Sequence, residues 1–133
     1  MVDLSSSFET ECEIIDRDHR RLVEMVNAIV AAIDGDHATE CATRVPKFVK
    51  FAKQHFVREE AFLADIGYPE TQKHHDHHRA LDGKMATILG LAAKAADNQL
   101  AREALKKDLV FFLMDDVINA DLDFKPFIKV RKT

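Results

Sequence analysis

Tryptophan is absent from this 133-residue chain, tyrosine occurs once, and there are only four glycines, three prolines and two cysteines. So few chain-breaking residues leave little material for the frequent tight turns of an all-β domain. Cys12 and Cys41 share no metal-ligand spacing and provide no disulfide framework, so reduced thiols and a cytoplasmic setting are expected. No apolar run approaches the roughly 20 residues of a membrane span. The opening Met1-Val2-Asp3-Leu4-Ser5 lacks the basic start and apolar stretch of a secretory signal. Strong charge of one sign is missing too. A net charge of −4, spread along the chain, gives no electrostatic footprint for nucleic acid.

What is present is helix-forming material: Ala, Leu, Lys and Glu dominate, and 47% of the residues are hydrophobic. That suffices for one core, and residues 1–133 read as a single domain. Turn residues at Asp34-Gly35-Asp36, Ile66-Gly67-Tyr68-Pro69 and Asp97-Asn98 divide the chain into four segments. The first helix is expected over Asp16–Ile33 and the second over Thr39–Asp65, with Thr39 as cap and Pro46 kinking it or marking its straight start. The third should follow Pro69 to about Ala96, and the fourth should span Leu100–Asn119. The tail carrying Phe124, Phe127 and Ile128 should fold back on the bundle. Short connections make consecutive helices antiparallel, so the expected fold is all-α, an up-down-up-down four-helix bundle.

Polar residues interrupt the apolar stripes in a regular way. His55 and Glu59 share the line Phe48, Phe51, Phe62, Ile66; His74 and His78 begin the line Leu81, Met85, Ile88. His19 heads Leu22, Val23 and Val26, while Asp116 continues Leu105, Leu109 and Phe112, with Asp121 following. In an up-down bundle these seven residues fall at one height, opposite an aliphatic end. Buried carboxylates cost several kcal/mol each unless compensated. Imidazole–carboxylate ion pairs are the plainer compensation. A metal cluster compensates all the groups at once and is the preferred reading. Nitrogen and oxygen donors without thiolate suit iron, manganese or zinc.

The spacing is not that of ferritin-like proteins, since no histidine has a glutamate three residues before it. His19, His55-x3-Glu59, His74-x3-His78 and Asp121, together with Ile15-Asp16-x2-His19-x2-Leu22, His55-Phe56-x2-Glu59-Glu60 and Tyr68-Pro69-x4-His74, resemble the hemerythrin family over nearly the whole chain, the short bacterial hemerythrins in particular. The resemblance implies two iron ions joined by an oxo or hydroxo group. His74 and His78 would hold one and His19 and His55 the other, with Glu59 and Asp121 bridging. It also implies an open position on the second iron, where dioxygen binds reversibly.

One position departs from that pattern. The family has a histidine five residues before the bridging aspartate, and here that residue is Asp116; Phe112 likewise stands where tryptophan is usual. Asp116 is read as a seventh ligand, with two alternatives: an acceptor beside a water-filled position, or decay of the site. As a ligand it would make the reduced centre neutral and favour the ferric state. Oxygen storage, transport or sensing is the expected function, by a monomeric protein whose partners are dioxygen or small anions. A di-iron enzyme reducing peroxide or dioxygen, or a module reporting iron or redox state, are the alternatives; no separate catalytic group can be read. His75 and His77 are expected to face solvent, Glu60 to face away from the site, and Phe51, Phe56, Phe62 and Phe112 to form dry walls or plain core.

Overall fold

The apolar stripes produce the expected helices in the computed structural model, which describes residues 2–132. Helix α1 runs Glu13–Asp34, α2 Cys41–Asp65, α3 Thr71–Ala80, α4 Asp82–Lys94 and α5 Gln99–Phe111. A π-helical segment, Phe112–Asn119, continues α5, and after a 3-10 turn at Leu122–Phe124 the chain ends in α6, Lys125–Lys132. Neighbouring pairs α1–α2, α2–α4, α4–α5 and α5–α1 close a four-membered ring of antiparallel packing. The protein is an all-α four-helix bundle.

Local chemistry sets most boundaries. Asn98 caps α5, its side chain accepting from the Ala101 amide at 3.0 Å. Gly67 adopts φ +72°, the left-handed conformation that ends α2 with little steric cost. The first helix begins earlier than expected because Asp16 anchors the preceding loop: the Thr10 amide and hydroxyl both donate to its Oδ1 at 2.8 Å. Thr39 is not a cap; it sits within a 3-10 turn at Ala38–Glu40, and α2 runs through Pro46. The third helix starts two residues beyond Pro69 and is interrupted at Leu81, where the amide bonds to the His78 carbonyl at 3.1 Å.

The main core gathers Leu22, Val26, Ile29, Val45, Phe48, Met85, Ile88, Leu105 and Leu109 at the aliphatic end and middle of the bundle. A second cluster closes the other end. There the tail brings Phe124 and Ile128 against Cys12, Ile15 and Leu63, with half-buried Tyr68 beside them. Phe127 packs edge-on to Tyr68 at 5.4 Å. The helices thus leave one short layer, between these two apolar plugs, where buried polar side chains meet.

Candidate metal centre

Six side chains fill that layer. His19 comes from α1, His55 and Glu59 from α2, His74 and His78 from α3, and Asp121 from just beyond the π segment. All six are buried, with Glu59 and His55 wholly inaccessible. Helical steps of four place His55 with Glu59 and His74 with His78 on single faces, so each pair enters the layer one turn apart.

The two carboxylates divide their oxygens between the two histidine pairs. On one side, Glu59 Oε1 meets His74 Nε2 and lies 3.1 Å from His78 Nε2, while Asp121 Oδ1 is 3.2 Å from His74 Nε2. On the other, Glu59 Oε2 is 3.0 Å from His55 Nε2, and Asp121 Oδ2 lies 2.6 Å from His19 Nε2 and 3.3 Å from His55 Nε2. The result is two overlapping sets, His19–His55–Glu59–Asp121 and His74–His78–Glu59–Asp121, sharing both carboxylates. Each set offers two imidazole nitrogens and two carboxylate oxygens, with ligand atoms within 4.8 Å of one another.

The electrostatics of the layer call for positive charge. Burial works to lower the basicity of His74, yet its hydrogen bonds with Asp121 and Glu59 and their negative charge push its pKa up to about 10. Burial opposes protonation of His55 as well, but Asp121, Asp18 and Glu59 together raise it well above the ordinary histidine value. Asp121 is held well below the carboxylate range: burial disfavours its charge, but hydrogen bonds with Glu59 and three imidazoles outweigh that. Protons alone satisfy this arrangement incompletely. Glu59 Oε2 has no hydrogen-bond partner despite complete burial, although His55 Nε2 lies 3.0 Å away. An unpaired buried carboxylate oxygen costs several kcal/mol, and a cation held by the two shared carboxylates would remove that cost. The donor set of imidazole and carboxylate fits iron, manganese or zinc.

Outer polar groups meet the far nitrogens of His55 and His78, while His19 Nδ1 has no hydrogen-bond partner among the described residues. His55 Nδ1 donates to Asp18 Oδ2 at 3.0 Å, which turns Nε2 into the layer; Asp18 in turn accepts from Arg58 Nε at 2.8 Å. Burial raises the Asp18 pKa, but the bonds to His55 and Arg58 outweigh it, so its carboxyl is lowered overall. Sequence reasoning missed Asp18, although the signal was there: it lies on the stripe Ile15, Asp18, His19, Leu22. Glu60 does not face away. It approaches His78 Nδ1 at 3.3 Å and pairs with His75. Phe56 stacks on His78 with centroids 4.1 Å apart, and Phe124, also missed, stands edge-on to His74 at 5.5 Å. Phe112 packs on Phe48, Phe62 belongs to the second apolar cluster, and Phe51 lies beneath Arg58.

Asp116 is not brought into the cluster. Its Oδ2 accepts from Lys84 Nζ at 2.8 Å, and its backbone carbonyl accepts from His77 Nε2 at 2.8 Å. An ordinary helix sets residues five apart at about 140° to one another; the i→i+5 bonding of the π segment brings such a step nearer one full turn. The backbone therefore supports the 116–121 spacing, but a short aspartate beside a lysine makes its ion pair there. In this structure Asp116 thus pairs with Lys84 and lies outside both donor sets. His77 is corrected too: it ties α3 to the π segment instead of facing solvent, and His75 is half-buried against Glu60. Both cysteines are free and buried, and burial raises the Cys41 thiol. Among the described residues no helix is long and apolar enough to cross a membrane.

Known proteins are similar to part of this chain. Bacteriohemerythrins of Pseudomonas paraeruginosa and Pseudomonas aeruginosa are 32% identical over 69 residues, 52% of this chain and 45% of theirs. That of Stenotrophomonas maltophilia is 27% identical over 74 residues, 56% of this chain and 48% of the relative. The matched region thus spans about half the length of these curated relatives. Residues 10–119 match the family described as the hemerythrin HHE cation binding domain, a stretch that includes every histidine of the layer. The chain belongs to the hemerythrin family.

Proposed function

We propose that the layer holds two iron ions and that the protein binds dioxygen reversibly, for storage, transport or sensing. The observation that carries this reading is the division of the Glu59 and Asp121 oxygens between two histidine pairs, which is how two carboxylates bridge two ions. His19 and His55 would hold one ion and His74 and His78 the other. When bound, such a pair supplies two electrons and a vacant coordination position for a diatomic ligand. The protein's own contribution is orientation and dryness. Asp18 fixes the His55 ring, Glu60 faces His78 Nδ1, and Phe56 and Phe124 close the walls. Dry walls slow the loss of charge and protons on which irreversible oxidation depends. A cytoplasmic location is in keeping with two free, buried cysteines. The deciding experiment is metal analysis with an optical spectrum, taken anaerobically and after admission of air. About two irons per chain and a spectrum that returns on deoxygenation are expected; a folded chain with no iron, or one oxidised by air irreversibly at once, refutes the reading.

A further inference from the structure

We propose a second exogenous-ligand site, for a small monoanion, at the metal held by His74 and His78, entered through the cleft between α3 and the chain following the π segment. The inference rests on the iron-pair reading above. Its first support is donor arithmetic. Each side of the layer offers the same four donors, two imidazoles and two carboxylate oxygens, so neither ion is better saturated by protein than the other. The residue placed to complete the His74/His78 side, Asp116, is engaged by Lys84 instead. Non-haem iron held by few protein ligands keeps positions open for exogenous ones.

The second support is access. A cleft of about 470 Å³ reaches His74 and is lined by Tyr68, Glu70, Lys73, His77, Ala120 and Asp123. The corresponding opening beside His19 has only about 70 Å³. The roomier approach therefore leads to the His74/His78 metal. His74 is 7% exposed, so only a small ligand passes from the cleft to the ion. Glu70, Lys73 and Asp123 are all exposed at this cleft, two carboxylates against one ammonium, so the attraction for an anion comes from the cation within and from Lys73, not from the wall as a whole. Tyr68 supplies a phenol in the wall; burial, with Asp123 and Glu70 nearby, keeps its proton on. A protonated phenol is a hydrogen-bond donor suited to an incoming anion.

The test is azide titration of the iron-loaded, oxidised protein, read by charge-transfer absorption and by the azide stretching bands. Two azides per iron pair are expected. Ala120→Leu, which fills the cleft, should abolish one of the two and leave the other. Lys73→Glu, at an exposed position that folding tolerates, should weaken that same azide several-fold. It keeps the test decisive if the leucine variant fails to fold. One azide per fully loaded pair, or two that neither variant alters, overturns this site while leaving the iron reading intact. A chain that takes up no iron overturns both.

Discussion

Removing the Asp18 carboxylate tests whether the outer polar groups, and not only the six inner residues, hold the centre together. Asp18→Ala leaves His55 Nδ1 without an acceptor in a position where the side chain is wholly buried. An orphaned buried donor costs about 1–3 kcal/mol. The Arg58 bond is also lost, but Arg58 is 37% exposed, so solvent screens it and its share is small. Taking about 2 kcal/mol overall, the melting temperature of a chain this size should fall by roughly 6–10 °C. The imidazole also loses its fixed ring orientation, and loss of an outer-shell partner typically costs 10–100-fold in metal affinity. The assay is iron retention against a graded chelator series, with melting measured on the same samples. Arg58→Ala is the control and should change affinity by a few-fold at most. If Asp18→Ala releases iron at a chelator concentration within twofold of wild type, the idea that Asp18 aims His55 is wrong.

Three further outcomes follow from the same geometry. Glu59→Ala removes oxygens from both sides of the layer, so iron content should fall from about two per chain to near none; retention of both ions would exclude Glu59 as a bridge. Asp116→Asn loosens only the Lys84 pair, of which Lys84 is 50% exposed, so iron content and the oxidised spectrum should be unchanged; iron loss would put position 116 back in the centre. In the metal-free protein the His74 pKa is raised from 6.5 to about 10 on folding. That group's stabilisation is complete below pH 6.5 and disappears as pH rises towards 10. Thermal melts of the metal-free form should therefore decline across that window, and a flat profile would contradict the imidazolium–carboxylate arrangement.

The sequence by itself determined the bundle and five of the six inner residues, because these are written in one variable, the helical period; Asp121 lies off the stripe of its helix and was legible only through the family resemblance. Steps of three and four place His55 beside Glu59 and His74 beside His78 whatever surrounds them, and short turns fix which helix ends share a layer. What the period cannot carry is the partner chosen by a side chain across the fold. Asp116 reads as a ligand because it continues the stripe Leu105, Leu109, Phe112 and stands five residues before Asp121; its partner in the structure, Lys84, is 32 residues away on another helix. Asp18 meets His55 across 37 residues, and Phe124 meets His74 only because the tail folds back over the end of the bundle. The π segment belongs to the same class. Its i→i+5 bonding is a backbone departure that the three-and-four spacing of apolar residues did not announce. Tertiary structure also set the opening beside His74, since a cleft is the gap left between elements distant in sequence.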